Sequence, residues 1–325
     1  MKTKDKIIKL LKKHGQLTVH EMSRLLKVSR QYVHRLIIEL EEENILRKIG
    51  SPPKVYYSLQ EKIEENKLNP VPYKKEKFLN EHFLIIDALG NMQQGVDGMR
   101  YWCNKQNLKL SKTIDEFILT RKKYLKYFNH QEVINGIDKL KNTKGIESVG
   151  VDALYYLDFY AIERFGKTRL GTLMHYAKQG QNKMLMKIIT TEIKHRILYL
   201  IQEEGIDCVA FVPPTIDRKV QIMSELKKLL KIDLPEVRIE KIKTAIIIPQ
   251  KALSKIFERV ANAKNTFIIP KQPKHNHLLI IDDAIGSGAT INEISKKIKN
   301  KDIAKKITGL AITGSYKGFD VISEL

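Results

Sequence analysis

Residues 278–290 read Leu-Leu-Ile-Ile-Asp-Asp-Ala-Ile-Gly-Ser-Gly-Ala-Thr, an order suited to holding a phosphorylated ligand. Four successive apolar residues describe a strand buried on both faces, as in a parallel sheet. Asp282 and Asp283 close it. Adjacent carboxylates there must be solvated or bonded, because burying them for structure alone is costly. Gly286, Ser287, Gly288, Ala289 and Thr290 then form a loop ahead of a helix expected over 291–299. Backbone N–H groups at such a helix start lack intrahelical partners, and with the helix dipole they favour a phosphate. Gly286 and Gly288 permit close approach, and Ser287 and Thr290 add hydroxyls.

The surrounding sequence supplies elements to position that loop. Cys208–Val212 is an apolar strand followed by Pro213-Pro214-Thr215, and a helix is expected from 218 to 230. Residues 245–248 read as a strand, 250–260 as a helix, and 267–269 and 307–312 as further strands. Alternating strands and helices predict an α/β fold: a doubly wound parallel sheet flanked by helices, with the ligand at the strand C-termini.

The strand, acid pair and Gly/Ser/Thr loop resemble the phosphoribosyl pyrophosphate (PRPP) signature of type I phosphoribosyltransferases. The resemblance implies that Asp282 and Asp283 hold the ribose 2- and 3-hydroxyls, and that Gly286, Ser287, Gly288, Ala289 and Thr290 hold the 5-phosphate, with Ile285 in the same PRPP-binding stretch. The sequence departs from the common pattern at Ala284, where a larger apolar residue is usual, and at Gly286, where a residue with a Cβ is usual. Neither change removes a backbone donor.

Within that superfamily, residues 150–325 are similar to the ComF-like phosphoribosyltransferases. The matching pieces are Leu173–Gly180, Val212-Pro213-Pro214 with Arg218–Gln221 in degraded form, and Pro249-Gln250 with Glu258-Arg259, Asn262 and Thr266-Phe267. The PRPP motif is the fourth. The Cys cluster that often binds zinc at that family's N-terminus is replaced by other sequence. The resemblance implies a pyrophosphate loop at Pro214, Thr215 and Arg218. It also implies Mg²⁺ bridging pyrophosphate and ribose oxygens, with no direct protein ligand to the metal. Lys241, Lys243, Lys251 and Arg259 could reach anionic oxygens. No nucleophile-binding hood is recognisable, so neither a catalytic residue nor an acceptor is assigned.

The first 60 residues hold 13 Lys plus Arg against 6 Asp plus Glu, roughly twice the positive density of the rest of a chain whose net charge is +21. Such an excess favours polyanionic partners. Ile7, Ile8, Leu10 and Leu11 make the stripe of a first helix that Gly15 ends. Thr18 and Glu21 have capping-box spacing for a second helix with Met22, Leu25 and Leu26 facing inward. Ser29 caps a third, with Val33, Leu36, Ile37 and Leu40 inward. Arg30, Gln31, His34 and Arg35 lie outward beside Tyr32, able to reach base edges and phosphates. Glu39 and Glu41–Glu43 stand at its far end. Residues 45–59 read as a two-stranded wing with Lys48 and Lys54 on its rim. Residues 3–60 resemble the winged helix-turn-helix family, which implies double-stranded DNA as partner and Ser29 with these basic and polar residues as its contacts.

Residues 61–76, with Pro70 and Pro72, read as a linker. Residues 77–150 are expected to be a helical middle segment, with one stripe at Phe83, Leu84, Ile85, Ala88 and Leu89 and another at Ile114, Phe117, Ile118 and Leu125. Position alone gives it a spacer or dimerisation role, and with it a homodimer. The expected domains are thus 1–60, 61–76, 77–150 and 151–325. Two Cys exclude a disulfide framework and a Cys-rich zinc site, and fit a reducing cytoplasm. No apolar run nears the ~20 residues needed to span a bilayer, and the charged start is not that of a secretory signal. The expected function is a DNA-binding transcriptional regulator with a PRPP- or nucleotide-binding domain. The alternatives are an active phosphoribosyltransferase and a non-enzymatic factor in DNA uptake or processing.

Overall fold

The computed structural model describes residues 3–43, 45–51, 54–59, 70–242, 253 and 255–316. It separates into two compact units, residues 1–72 with 86–93 and residues 73–85 with 94–325.

In the first unit α1 (Thr3–His14), α2 (Val19–Leu26) and α3 (Arg30–Glu42) stand with β1 (Gln16–Leu17), β2 (Leu46–Ser51) and β3 (Lys54–Leu59), the strands in the order β1-β3-β2. Gly15 ends α1 with φ +76, its N–H donating to Leu11 O, a backbone shape that favours glycine. Thr18 and Glu21 form a reciprocal capping box at α2: Thr18 N–H donates to Glu21 Oε2 at 2.7 Å and Glu21 N–H to Thr18 Oγ1 at 3.2 Å. These bonds hold the Glu21 carboxyl below the usual carboxylate range. Ile7, Leu11, Met22, Val33, Leu36, Ile37 and Leu40 make the core with Leu46 and Tyr57 of the wing. Leu25, expected inside, is exposed. A helix of only eight residues turns a narrow stripe inward, and Met22 takes its fully buried place.

The second unit is built on a five-stranded sheet. Its strands are β6 (Ile134–Asn135), β7 (Ala153–Phe159), β8 (Cys208–Phe211), β11 (His275–Ile285) and β12 (Ala304–Gly314), ordered β6-β7-β12-β11-β8. All neighbours are parallel except the antiparallel β6 edge. Leu278–Ile281 of β11 and Leu310–Ile312 of β12 are fully buried, as central parallel strands require. The helices are α4 (Tyr73–His82), α5 (Gly95–Lys105), α6 (Leu110–Leu125), α7 (Ile137–Lys141), α8 (Arg169–Gln179), α9 (Lys183–Glu204), α10 (Ile222–Leu230), α11 (Ile256–Thr266) and α12 (Ala289–Asn300). Among them α8 packs on β7 and β12, α10 on β11, and α12 on β12. α9 presents Met186, Ile189, Ile193, Ile197 and Leu200 at helical spacing as its buried face. Short strands β4 (Leu84–Ile86), β5 (Met92–Gln94), β9 (Glu240–Lys241) and β10 (Phe267–Ile268) complete the described elements.

Residues 77–150 are not purely helical. Residues 84–94 form two short strands where a helical stripe was expected, because the Gly90-Asn91 turn reverses the chain, with Asp87 Oδ1 accepting the Leu89 and Asn91 N–H groups. α4 begins at Tyr73, inside the expected linker, directly after Pro72. The expected strand over 245–248 lies outside the described residues. β11 runs past the acid pair to Ile285, since β12 continues to pair with it through Ala284↔Thr313 and Ile285↔Gly314. The loop is therefore short, and Ala289 and Thr290 already belong to α12.

The segment before residue 150 is tied into the sheet by a buried ion pair. Arg121 of α6 grips Asp158 of β7 bidentately, with Nη1–Oδ1 2.9 Å and Nη2–Oδ2 2.8 Å and both side chains buried. Tyr124 and Tyr127 pack edge-to-face with Phe159 and Tyr316 at 5.1–5.6 Å, joining α6 to the ends of β7 and β12. Removing one partner of such a pair strands the other's charge, so Arg121→Met should cost about 3–5 kcal/mol, read as a lowered urea midpoint at unchanged m-value. A loss below 1 kcal/mol would show that Asp158 is not held as an ion.

Candidate functional site

At the C-terminal ends of β8 and β11 lies a cavity of about 210 Å³. The structure brings to it Asp282 and Asp283, the stretch from Ile285 to Thr290, and Pro214, Thr215 and Arg218 from the segment after β8. Lys178, Arg259 and Phe267 also line it.

The floor is the turn from β11 into α12. Gly288, the N-cap, takes φ +80 and has no side chain to cap the helix; Ser287 Oγ accepts only the Ala289 N–H, at 3.4 Å, and the first turn carries no acidic residue. The N–H end of α12 is thus left to face an anion. A Cβ on Gly288 would lie 2.5 Å from Leu140 Cδ1 of α7, so glycine is required there by dihedral and by space. Ile285, Ser287 and Ala289 are buried; Ile285 and Ala289 can offer a ligand only backbone atoms.

The acid pair is electrostatically loaded. Asp283 is ion-paired with Lys178 from the last turn of α8. Asp282 Oδ1 accepts the Asp283 N–H at 2.8 Å. Burial, and then the Asp283 carboxylate, lift the Asp282 carboxyl to about 7. Lys241 spans the rim: its ammonium donates to Thr215 Oγ1 at 3.0 Å and lies 4.6 Å from the Phe267 ring centroid, and burial lowers its pKa. Arg218 Nη1 donates to Lys178 O at 2.5 Å and Nη2 to Gln179 Oε1 at 3.4 Å, so the segment after β8 is anchored on the end of α8. Arg259 Nε donates to Leu253 O at 2.7 Å. Lys243, Lys251, Pro249 and Gln250 lie outside the described residues.

Two contributors carried no site assignment in sequence. Lys178 stood in a family-like stretch with nothing to say that its ammonium meets Asp283. Lys139 of α7 has no motif at all, yet its Nζ donates to Gly286 O at 3.0 Å, to Ser315 O at 2.8 Å and to Ser315 Oγ. Burial alone lowers its pKa to about 8.

In the first unit Ser29 caps α3, its Oγ accepting Tyr32 N–H at 3.2 Å. Arg30, Gln31, His34 and Arg35 are exposed on that helix, and the Arg35 guanidinium lies 5.2 Å from the Tyr32 ring centroid. Lys48 is exposed on β2. Lys54 begins β3, and its side chain lies outside the described residues. Arg47 is held by Ser58, Nε–Oγ 3.0 Å. Lys4 pairs with Glu39 and Glu43 at 2.9 and 2.7 Å, drawing the acidic end of α3 toward α1. The basic face is thereby confined to the start of the helix.

Residues 4–50 match the family model of the DeoR-like helix-turn-helix domain. No curated protein matches the chain. The first unit is therefore a helix-turn-helix of a DNA-binding, regulatory type. Among the described residues no helix is long and apolar enough to cross a membrane.

The raised pKa of Asp282 has a consequence for stability. Its folded value lies above the unfolded one, so the penalty on folding builds as pH rises from about 4 and is complete above about 7, and it disappears as pH falls below about 4. Asp282→Asn should raise Tm by about 2–4 °C at pH 8, for a gain on the order of 1 kcal/mol, and leave it unchanged at pH 4. A lower Tm at pH 8 would mean that the ionised carboxylate stabilises the fold.

Proposed function

We propose that the protein is a DNA-binding transcriptional regulator whose second unit is a phosphoribosyltransferase-like domain binding PRPP or a related phosphoribosyl ligand. The observation that carries the reading is the convergence, in one cavity, of an acid pair at a strand end, a glycine turn with an uncapped helix start, and the cations Lys178, Arg218 and Arg259. A sugar diol suits the carboxylates, which accept hydroxyl hydrogen bonds. A phosphate suits the turn, where backbone N–H groups and the α12 dipole meet it. A second anionic group suits Lys178 and Arg218.

The acid pair also fits a divalent cation carried in with the ligand. Two adjacent carboxylates, one lifted to about 7 by burial and by its charged neighbour, gain from a neighbouring cation. Mg²⁺ bound through pyrophosphate would supply that charge and offset the charge of a leaving group. The chain's own residues orient the ribose and exclude water; no side chain is assigned as base or nucleophile. The degraded match of the pyrophosphate loop at Val212-Pro213-Pro214 and Arg218–Gln221 favours sensing over turnover, and pyrophosphate release with candidate amines or bases would reverse the preference.

Two measurements test the reading. In calorimetric titration with PRPP and Mg²⁺, Asp283→Asn should weaken binding about tenfold or more, the scale of a lost charge-assisted hydrogen bond; equal affinity would remove the diol assignment. In fluorescence anisotropy with duplex DNA, Arg35→Ala should weaken binding and reduce the slope of log K against log salt by about 1. Absence of wild-type binding to any duplex at low salt would remove the DNA-binding reading.

A further inference from the structure

We propose that Lys139 is a positioning residue for the phosphate loop, clamping the Gly286 carbonyl from beneath so that the adjoining N–H groups face the cavity, and supplying through the loop the positive charge that a bound phosphate balances. The proposal rests on the phosphoribosyl reading of the cavity.

The geometry begins with where β11 and β12 part. β12 ends at Gly314, and Ser315 N–H still donates to Ile285 O at 3.1 Å. Lys139 Nζ bridges the two strands just beyond that bond, reaching Gly286 O on one side and both Ser315 oxygens on the other. All three ammonium donors are thus engaged. A trans peptide sets its C=O and N–H on opposite edges. Holding the Gly286 carbonyl on Lys139 therefore turns the Ser287 N–H the other way. The cavity is lined by Gly286, Ser287 and Gly288 but not by Lys139, so the ammonium lies beneath the loop and outside the cavity. The next residue, Leu140, fills the space under Gly288. α7 is the bed of the turn.

A neutral donor could tether two carbonyls. An ammonium that is half-buried and paired, among the described residues, with no carboxylate is costly unless an anion completes it. Among the described residues the groups facing it are uncharged: the Gly286 carbonyl from the β11–α12 turn and the Ser315 carbonyl and hydroxyl after β12. Burial is accordingly the cause of its lowered pKa, about 8. A phosphate dianion on the N–H side of the loop supplies the missing charge and favours protonated Lys139. By linkage, affinity is full below the free-state pKa and declines as pH rises above it.

The test is calorimetry of the full chain with ribose 5-phosphate and Mg²⁺ between pH 6.5 and 9.5, a range in which the phosphate monoester stays mostly dianionic. Asp282, Asp283 and Lys178 also line the cavity, so wild type is compared with Lys139→Met and Lys139→Arg, which leave them in place. Wild-type affinity should fall above about pH 8, approaching tenfold per pH unit. Lys139→Met should bind at least tenfold more weakly at pH 7 and lack that alkaline decline. Lys139→Arg should restore affinity and hold it to pH 9.5. Circular dichroism checks folding; if Lys139→Met does not fold, the wild-type profile against Lys139→Arg decides. A folded Lys139→Met with wild-type affinity, or an alkaline decline shared by wild type and Lys139→Arg, overturns the proposal. Absence of wild-type binding at every pH overturns the cavity reading itself, and the proposal with it.

Discussion

Two carboxylates side by side at the end of a buried strand repel each other and resist desolvation, and much of the second unit is arranged around that constraint. Lys178 is delivered to Asp283 by the last turn of α8. Asp282 responds instead by holding its proton more tightly. The N-terminus of α12 and the ammonium of Lys139 add positive charge on the far side of the turn. Such an expense has no evident structural purpose, since apolar residues would close a parallel strand at lower cost. It is understandable if a ligand makes use of both acids.

The same constraint explains why the segment before residue 150 belongs with the sheet. Lys139 and Leu140 come from α7, and the antiparallel β6 just before it pairs with β7. Arg121 and the aromatic cluster around Phe159 fix α6 to the neighbouring strand end. Without these pieces the turn would lack both its counter-charge and the surface that makes Gly288 obligatory.

Legibility in the sequence followed from how local each determinant is. Gly15, the Thr18–Glu21 box, the Ser29 cap and the apolar stripe of α3 act within a few residues, and they forecast the three helices of the first unit, though not the strand β1 or the exposure of Leu25. Leu278–Ile281 followed by two acids and glycines was equally local. By contrast, β7 reads Ala-Leu-Tyr-Tyr-Leu-Asp-Phe, and its acid makes sense only once Arg121, far back in the chain, is placed beside it. Residues 83–89 carry apolar side chains at helical spacing, but a turn at Gly90-Asn91 governs them. Lys139 is one lysine in a lysine-rich chain, singled out only by the distant carbonyls of Gly286 and Ser315.

The charge excess looks different in the two units. On α3 it is laid out at the surface: Arg30 and Arg35 are exposed at the helix start, while Lys4 neutralises acids at its end. Such an arrangement suits an extended polyanion, whose phosphates are met in water and whose binding weakens with salt. At the cavity the cations are half-buried and pinned. Lys178 is paired to a carboxylate and Arg218 to backbone and side-chain oxygens of α8, while Lys139, outside the cavity, holds carbonyls beneath the loop. Pinned cations have already lost their rotamer freedom, so a small anion meeting them pays less ordering entropy. Partial burial also lessens the screening of the attraction by salt. On the proposed reading, an exposed basic helix and a half-buried basic cavity would favour different anions, a long one by its accumulated charge and a small one by its shape, within a single basic chain.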